Sequence, residues 1–249
     1  MTLVLARRGR EVEVTMCGGN ETSQGEAELK KGLQGLMQLK SINVGDRLFY
    51  EGDDVKALYY IKSGRVKLTK TNEDGKEIIL SFMQTDDLVG EFGGMDCEYH
   101  GYEAEIVEEG MVGVIMMRDL EIYLSQNGEM ALEFIRWMGT AQRMMQYKLR
   151  DLLMNGKAGA LASMLIRACN SYGKVTPEGI LITQKMNHAD IAELIGATRE
   201  NVTKTLSGWK EQGIVEVSQG RILVRELSEL HQICGCPAEN LCSSKICRM

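Results

Sequence analysis

The hydrophobic period of this chain changes near residue 118, and that change narrows the fold class to α+β. From Ile42 to about Met117, short apolar blocks alternate with turn residues: Gly45-Asp46, Gly52-Asp53-Asp54, Ser63-Gly64, Asn72-Glu73-Asp74-Gly75 and Asp86-Asp87. Between them lie Arg47–Tyr50, Ala57–Lys62, Arg65–Thr71 and Glu77–Gln84. Turns about every eight to twelve residues predict a β-roll or jelly-roll barrel. Asn72–Gly75 has the chemistry of a hairpin turn. Upstream, Glu26–Leu39 places Leu29, Leu33, Leu36, Met37 and Leu39 mostly at helical steps. Residues 1–25 have no helical period, carry Gly18, Gly19 and Gly25, and read as a flexible extension.

After Arg118 the period is helical. Met130–Asn155 contains no proline and one glycine. Met138, Ala141, Met145 and Leu152 fall on one heptad frame, interrupted by Lys148, which is an imperfect dimer seam. A core helix lying on the barrel is the other reading of the same stripe. Ala158–Cys169 is apolar enough to be core, and Gly156 marks a hinge before it. The expected domains are residues 26–129 for the β-roll, 130–155 for the dimerisation helix, 156–230 for a DNA-binding domain and 231–249 for a cysteine-rich tail.

The DNA-binding expectation rests on residues 187–213. Asn187 caps a first helix, His188–Ile195. Gly196 lets the backbone leave it in a left-handed conformation. Thr198 caps a second helix running to about Gln212. Ile191, Leu194, Ile195, Val202, Leu206 and Trp209 form the inward set, so Arg199, Glu200, Thr203 and Lys204 project outward from the turns that enter the major groove. Arg199 can donate two hydrogen bonds to guanine, and Glu200 can accept one from cytosine. Ile214–Val217 and Ile222–Val224, joined through Gln219-Gly220, predict a two-stranded wing.

The formal net charge is −6, which argues against a surface coated in basic residues. Between Ile182 and Arg225 six Lys/Arg stand against five Asp/Glu, so this segment is near neutral in an acidic chain. Charge is only weakly compatible with DNA binding, and the motif carries the case. No apolar run approaches the roughly eighteen residues of a membrane span, and the start lacks the order of a secretory signal. A cytoplasmic protein with reduced thiols is the expectation.

Four of the seven cysteines, Cys234, Cys236, Cys242 and Cys247, lie in the tail CGCPAENLCSSKICRM. In a reducing compartment such a cluster points to a metal or iron–sulfur site. Thiolates suit iron–sulfur clusters and zinc alike, and spacing leaves both open. Cys169, on an apolar helix, reads as inert core, while Cys17 and Cys97 have no evident partner. His100, His188 and His231 share no motif, and no cysteine stands in an enzyme signature with His and Asn, so an enzyme is not expected.

Helix, β-roll, long helix and winged helix-turn-helix, in that order, resemble the CRP/FNR family of bacterial transcription regulators. IAELIGATRENVTKTLSGWKEQGIVEVSQGRILV carries the resemblance most specifically, and DDLVGEFGGM resembles the start of the family's cyclic-nucleotide pocket, with Gly90 and Glu91 in place. Nucleotide-binding members follow it with an Arg-Ser pair; here Tyr102 and Glu103 stand there, with Glu105 close by, so no cyclic nucleotide is expected. The tail is similar to that of the Fnr oxygen sensors of Gram-positive bacilli, whose [4Fe–4S] cluster sits on C-terminal cysteines and one aspartate. This chain has four tail cysteines where that pattern has three. The resemblance implies ligation by Cys236, Cys242 and Cys247, with Cys234 as the alternate, and by Asp151 in KLRDLL; a site on all four tail thiols, with Asp151 a solvated helix residue, is the rival. It further implies a homodimer, palindromic promoter DNA, contact with RNA polymerase, and control of anaerobic gene expression by oxygen. A zinc-stabilised regulator responding to a small ligand in the β-roll and a thiol/disulfide switch are the alternatives.

Overall fold

The computed structural model describes residues 24–75, 77–92, 98–236 and 246–249, and the main chain of residues 2–7 and 10–15. Cys17, Cys97 and Cys242 lie outside the described residues. The chain divides into two compact units, residues 22–138 and residues 139–249 with 1–21.

The first unit is the predicted roll. Helix α1 (Gln24–Gln34) precedes strands β3 (Gln38–Ile42), β4 (Arg47–Phe49), β5 (Ala57–Thr71), β6 (Glu77–Met83), β7 (Leu88–Val89) and β8 (Glu103–Met116), the numbering starting from β1 (Thr2–Arg7) and β2 (Arg10–Thr15). The sheet runs β3-β8-β5-β6, with β4 also paired to β8 and β7 to β5. Its core is Ile42, Phe49, Ile61, Val66, Leu68, Val89, Ala104, Ile106 and Val112. Leu29 and Leu33 of α1 close one end against Leu58, Tyr60, Leu88 and Ile115, together with Leu120 and Phe134 from the helices that follow.

Three local expectations differ from the structure here. The two blocks Ala57–Lys62 and Arg65–Thr71 form one strand, because Gly64 takes φ +90° inside a run of bulges rather than ending the strand. A Cβ at Gly64 would come within 2.7 Å of the Glu108 carbonyl, so the bend needs glycine. The first helix stops at Gln34 instead of Leu39, since Gln38–Ile42 pairs with Gly110–Val114 of β8 and leaves Leu39 exposed. Within residues 1–25, read as a flexible extension, Thr2–Arg7 and Arg10–Thr15 pair antiparallel with Arg7 opposite Arg10. A helical period is the wrong test for a two-residue-period hairpin.

Helix α2 (Met117–Gln126) leads to α3 (Gly128–Met154), a helix of 27 residues that runs from the first unit into the second. The second unit continues with α4 (Gly156–Tyr172), β9 (Gly173–Thr176), β10 (Gly179–Ile182), α5 (His188–Leu194), α6 (Arg199–Glu211), β11 (Val215–Ser218), β12 (Arg221–Val224) and α7 (Leu227–Ile233). Gly156 has φ +60° and open space around it, which lets α4 turn away directly after α3. Residues Gly159 to Cys169 of α4 are all buried, so this helix is the core of the unit. The expected two-stranded wing is half of a four-stranded sheet, β11-β12-β10-β9. The extra hairpin is written in GKVTPEGILI, where Pro177-Glu178 separates two short apolar alternations.

Candidate functional site

Two sites were expected in the second unit, a base-reading helix and a thiol cluster. The helix pair forms as its caps dictate. The Asn187 side chain accepts from the Asp190 amide at 2.8 Å and starts α5. Gly196 turns the chain at φ +61°. The Thr198 hydroxyl accepts from the Asn201 amide at 3.3 Å and starts α6. Ile191, Ile195, Val202, Leu206 and Trp209 are buried, and Leu194 is half-buried, which fixes the angle between the helices. Arg199, Glu200, Thr203 and Lys204 are exposed on the first turns of α6, as the inward set requires.

These four are not equivalent. The Thr203 hydroxyl donates to the Arg199 carbonyl at 2.9 Å and lies 2.8 Å from Nδ1 of His188. With its single hydrogen spent on Arg199, Thr203 accepts from the imidazole, so His188 clamps the start of α5 onto α6. His188 was not among the expected site residues, since one histidine at a helix start carries no motif. The Glu200 carboxyl lies below its ordinary range because its own main-chain amide and then the Thr198 hydroxyl bond to the carboxylate. It is therefore an acceptor at neutral pH. Gln219 (φ +51°) and Gly220 (φ +75°) make the tight turn at the tip of the wing.

The tail is built differently. After α7 the chain turns at Gly235 (φ +63°), with Cys234 buried and Cys236 half-buried. The Cys236 thiol is held down to about 4 by hydrogen bonds from the Cys234 thiol and then from His231, with the charges of His231 and Arg150 adding to them. The Cys234 thiol is pushed up, first by that same bond and then by burial. Cys247 is buried, and Cys169 is pushed up to about 12 by burial and stays an inert core thiol.

Asp151, near the end of α3, is 3% exposed and not a solvated surface residue. Arg150 Nε donates to its Oδ1 at 2.9 Å, Arg167 Nη2 donates to its Oδ2 at 3.0 Å, and the Ser163 hydroxyl donates to Oδ2. Arg167 Nη1 also donates to the Ile246 carbonyl at 3.3 Å. Next along α4, Asn170 donates to the Cys247 carbonyl at 2.7 Å and Ser171 accepts from the Met249 amide at 3.0 Å. Asn155 donates to the Cys234 carbonyl at 2.8 Å. One polar face of α4 therefore grips the last residues by their main chain. Arg167, Asn170, Ser163 and Asn155 were not expected as site residues. The signal was present: Arg167 is the charged residue inside the apolar run ALASMLIRAC, and a buried charge demands a partner. Among the described residues no three His, Cys, Asp or Glu side chains converge as a metal site, and Cys242 lies outside them.

The expected seam residues Met138, Ala141, Met145 and Leu152 are all exposed, and Ile135 and Leu149 extend the same stripe. In the roll, Tyr102 packs edge-on to Phe49 at 5.5 Å, in place of a guanidinium. Glu103 and Glu105 do not stand as bare anions, however. Arg47 pairs with both at 3.2 and 3.4 Å, and Lys67 pairs with Glu105 at 3.0 Å. Two carboxylates alone would repel a phosphate here, and these cations weaken that repulsion.

A family model described as cyclic nucleotide-binding domain matches residues 39–127, and one described as Crp-like helix-turn-helix domain matches residues 159–233. The "Anaerobic regulatory protein" of Bacillus subtilis (strain 168) is 39% identical over 204 residues, which is 81% of this chain and 84% of that one. The chain belongs to the CRP/FNR family. The "Fumarate and nitrate reduction regulatory protein" of Vibrio cholerae is 26% identical over 86% of each chain. Among solved structures, a CooA variant from Carboxydothermus hydrogenoformans aligns with TM-score 0.69 at 20% identity, covering 86% of this chain and 92% of that one. FixK2 from Bradyrhizobium japonicum aligns with TM-score 0.66 at 20% identity, covering 79% and 96%. This CRP/FNR protein is a DNA-binding transcription regulator and not an enzyme. Among the described residues no helix is long and apolar enough to cross a membrane.

Proposed function

We propose that this regulator controls anaerobic gene expression in response to oxygen, sensing through a [4Fe–4S] cluster held by Cys236, Cys242, Cys247 and Asp151. The observation that carries this reading is a buried carboxylate that shares one arginine, Arg167, with the end of the cysteine tail. The similarity to a protein named for anaerobic regulation supports it. The donor types suit the group: Cys236 has its thiol held below the ordinary range, Cys247 is buried with its carbonyl held by Asn170 of α4, and Cys234 next to Cys236 is an alternate. When bound, such a cluster bonds thiolates and a carboxylate into one unit.

The chain's own residues link this site to DNA. Asp151 ends the long helix, Arg167 sits on α4, and α4 packs against both β10 and the recognition helix α6. A change in what Asp151 holds therefore reaches α6 through one rigid helix and shifts the population of the binding-competent arrangement. Met138, Ala141, Met145 and Leu152 face a second copy, so that two α6 helices read a palindromic promoter one half-site each. Arg199, Glu200 and Lys204 read bases, Thr203 lies beside them on the same face, and RNA polymerase is the downstream partner in the cytoplasm. With Tyr102 at the family's arginine position, a cyclic nucleotide plays no part.

Purification without oxygen tests this directly. The protein is expected to be brown, with broad absorbance near ~400 nm and about four irons and four sulfides per subunit. A colourless protein with stoichiometric zinc would replace this reading with a zinc-stabilised regulator.

A further inference from the structure

Thr203 differs from its neighbours on the outward face of α6, because its hydroxyl is already spent on the protein. It is exposed on the first turns of the helix with Arg199, Glu200 and Lys204. Its oxygen donates to the Arg199 carbonyl one turn back at 2.9 Å and accepts from Nδ1 of His188 at 2.8 Å. A hydroxyl has one hydrogen to give and two lone pairs. Thr203 therefore has no hydrogen left for a base and no more than one lone pair.

The two bonds also fix the direction of the side chain. A threonine in a helix divides between two χ1 rotamers, because its oxygen can bond a carbonyl of the preceding turn. The bond to Arg199 alone leaves that choice open. His188 closes it, since the same oxygen must also meet an imidazole on α5, fifteen residues earlier in the chain. With the oxygen held by the protein on both bonds, the methyl group is what this exposed side chain has left to present.

The neighbours make that methyl useful. Arg199 and Lys204 can donate to guanine, and Glu200 can accept from cytosine. All three end in charged heads. Thymine carries the one apolar mark in the major groove, its C5 methyl, and the methyl of a threonine packs against it.

We propose that Thr203 reads a thymine in the half-site by methyl–methyl contact, and that His188 is the positioning residue that holds the Thr203 hydroxyl away from the base. This rests on α6 reading DNA, as proposed above. His188 touches no base in this role and acts only through Thr203. Part of the sequence preference of α6 is then set from α5.

The test uses full-length protein purified without oxygen and a duplex that the wild type selects from a random-sequence library. Each thymine of one half-site is replaced in turn by deoxyuridine, which removes only the C5 methyl. Affinities are measured by titration at fixed salt. At one position wild type is expected to prefer thymine by about two- to fivefold, the value of one buried methyl group. Thr203→Val keeps a methyl and cannot hydrogen-bond, and it is expected to keep that preference. Thr203→Ser keeps the hydroxyl and loses the methyl, and it is expected to abolish it. His188→Asn retains a donor near the place of Nδ1 and is expected to behave as wild type, while His188→Ala frees the hydroxyl and is expected to weaken the preference. Affinity for random DNA is expected to be the same in all four variants, which separates a lost base contact from a loosened fold. A preference kept by Thr203→Ser and lost by Thr203→Val overturns the proposal in favour of a hydroxyl contact. A full preference in His188→Ala overturns the positioning role. If no Thr203 variant changes the preference at any thymine while Arg199→Ala still relaxes the half-site, the proposal fails and the reading of DNA by α6 stands. If Arg199→Ala also leaves the half-site unchanged, that reading fails with it.

Discussion

The recognition helix pair and the cysteine tail lie in the same compact unit, and they are held in place by opposite kinds of force. The helix pair rests on apolar burial and local caps: Ile191, Val202, Leu206 and Trp209 inside, Asn187 and Thr198 at the helix starts. The tail rests on polar side chains of α4 that bond its main chain, and on a carboxylate saturated by two arginines and a serine. Apolar packing resists change in small steps. A buried polar network stands or falls with each member. Loss of one member is therefore felt more sharply at the polar joint than at the apolar one.

Substitutions that remove one member from each region test that contrast. The largest expected effect is at the polar joint. Arg167→Met leaves the buried Asp151 short of one of its two cations and frees Ile246, and a loss of about 4 kcal/mol in urea unfolding of the metal-free protein is expected. A loss below ~1 kcal/mol would mean that the joint is wet and plays no structural part. Leu206→Ala is expected to cost about 3 kcal/mol by cavity formation, with iron content unchanged. If it also empties the metal site, the two regions are not separable.

Arg199→Ala is expected to cost about 2 kcal/mol per half-site on the cognate promoter and little on random DNA, measured by titration at fixed salt. Equal losses on both would make Arg199 a phosphate contact. Smallest is Thr198→Ala, which removes the cap of α6 and is expected to cost about 1 kcal/mol in thermal or urea unfolding.

The same contrast explains what could be read from the sequence. Elements set by period, turns and caps were legible: the roll, the long helix, and the α5–α6 pair with its outward Arg199, Glu200, Thr203 and Lys204. Gly64 misled, because a glycine that bends a strand through a bulge looks like one that ends it. The β9–β10 hairpin was missed because its strands, Gly173–Thr176 and Gly179–Ile182, are only four residues each. Asp151 was placed by resemblance alone, since KLRDLL has the pattern of a solvated helix face. Its burial depends on Ser163 and Arg167, twelve and sixteen residues away on another helix. Arg167, alone in its apolar run, was the local sign of that arrangement. The docking of Cys247 and Met249 runs through main-chain groups, which leave no trace in residue type.

The link proposed between the cysteine tail and the DNA-reading helix runs through Asp151 and α4. The most direct measurement is the affinity of wild type and Asp151→Ala for one promoter half-site pair, with and without oxygen, at constant salt. Wild type is expected to bind about tenfold or more tightly without oxygen, a difference of about 1.4 kcal/mol, and Asp151→Ala to bind equally weakly in both conditions. Equal affinity of wild type in both conditions, or an undiminished oxygen response in Asp151→Ala, would contradict it.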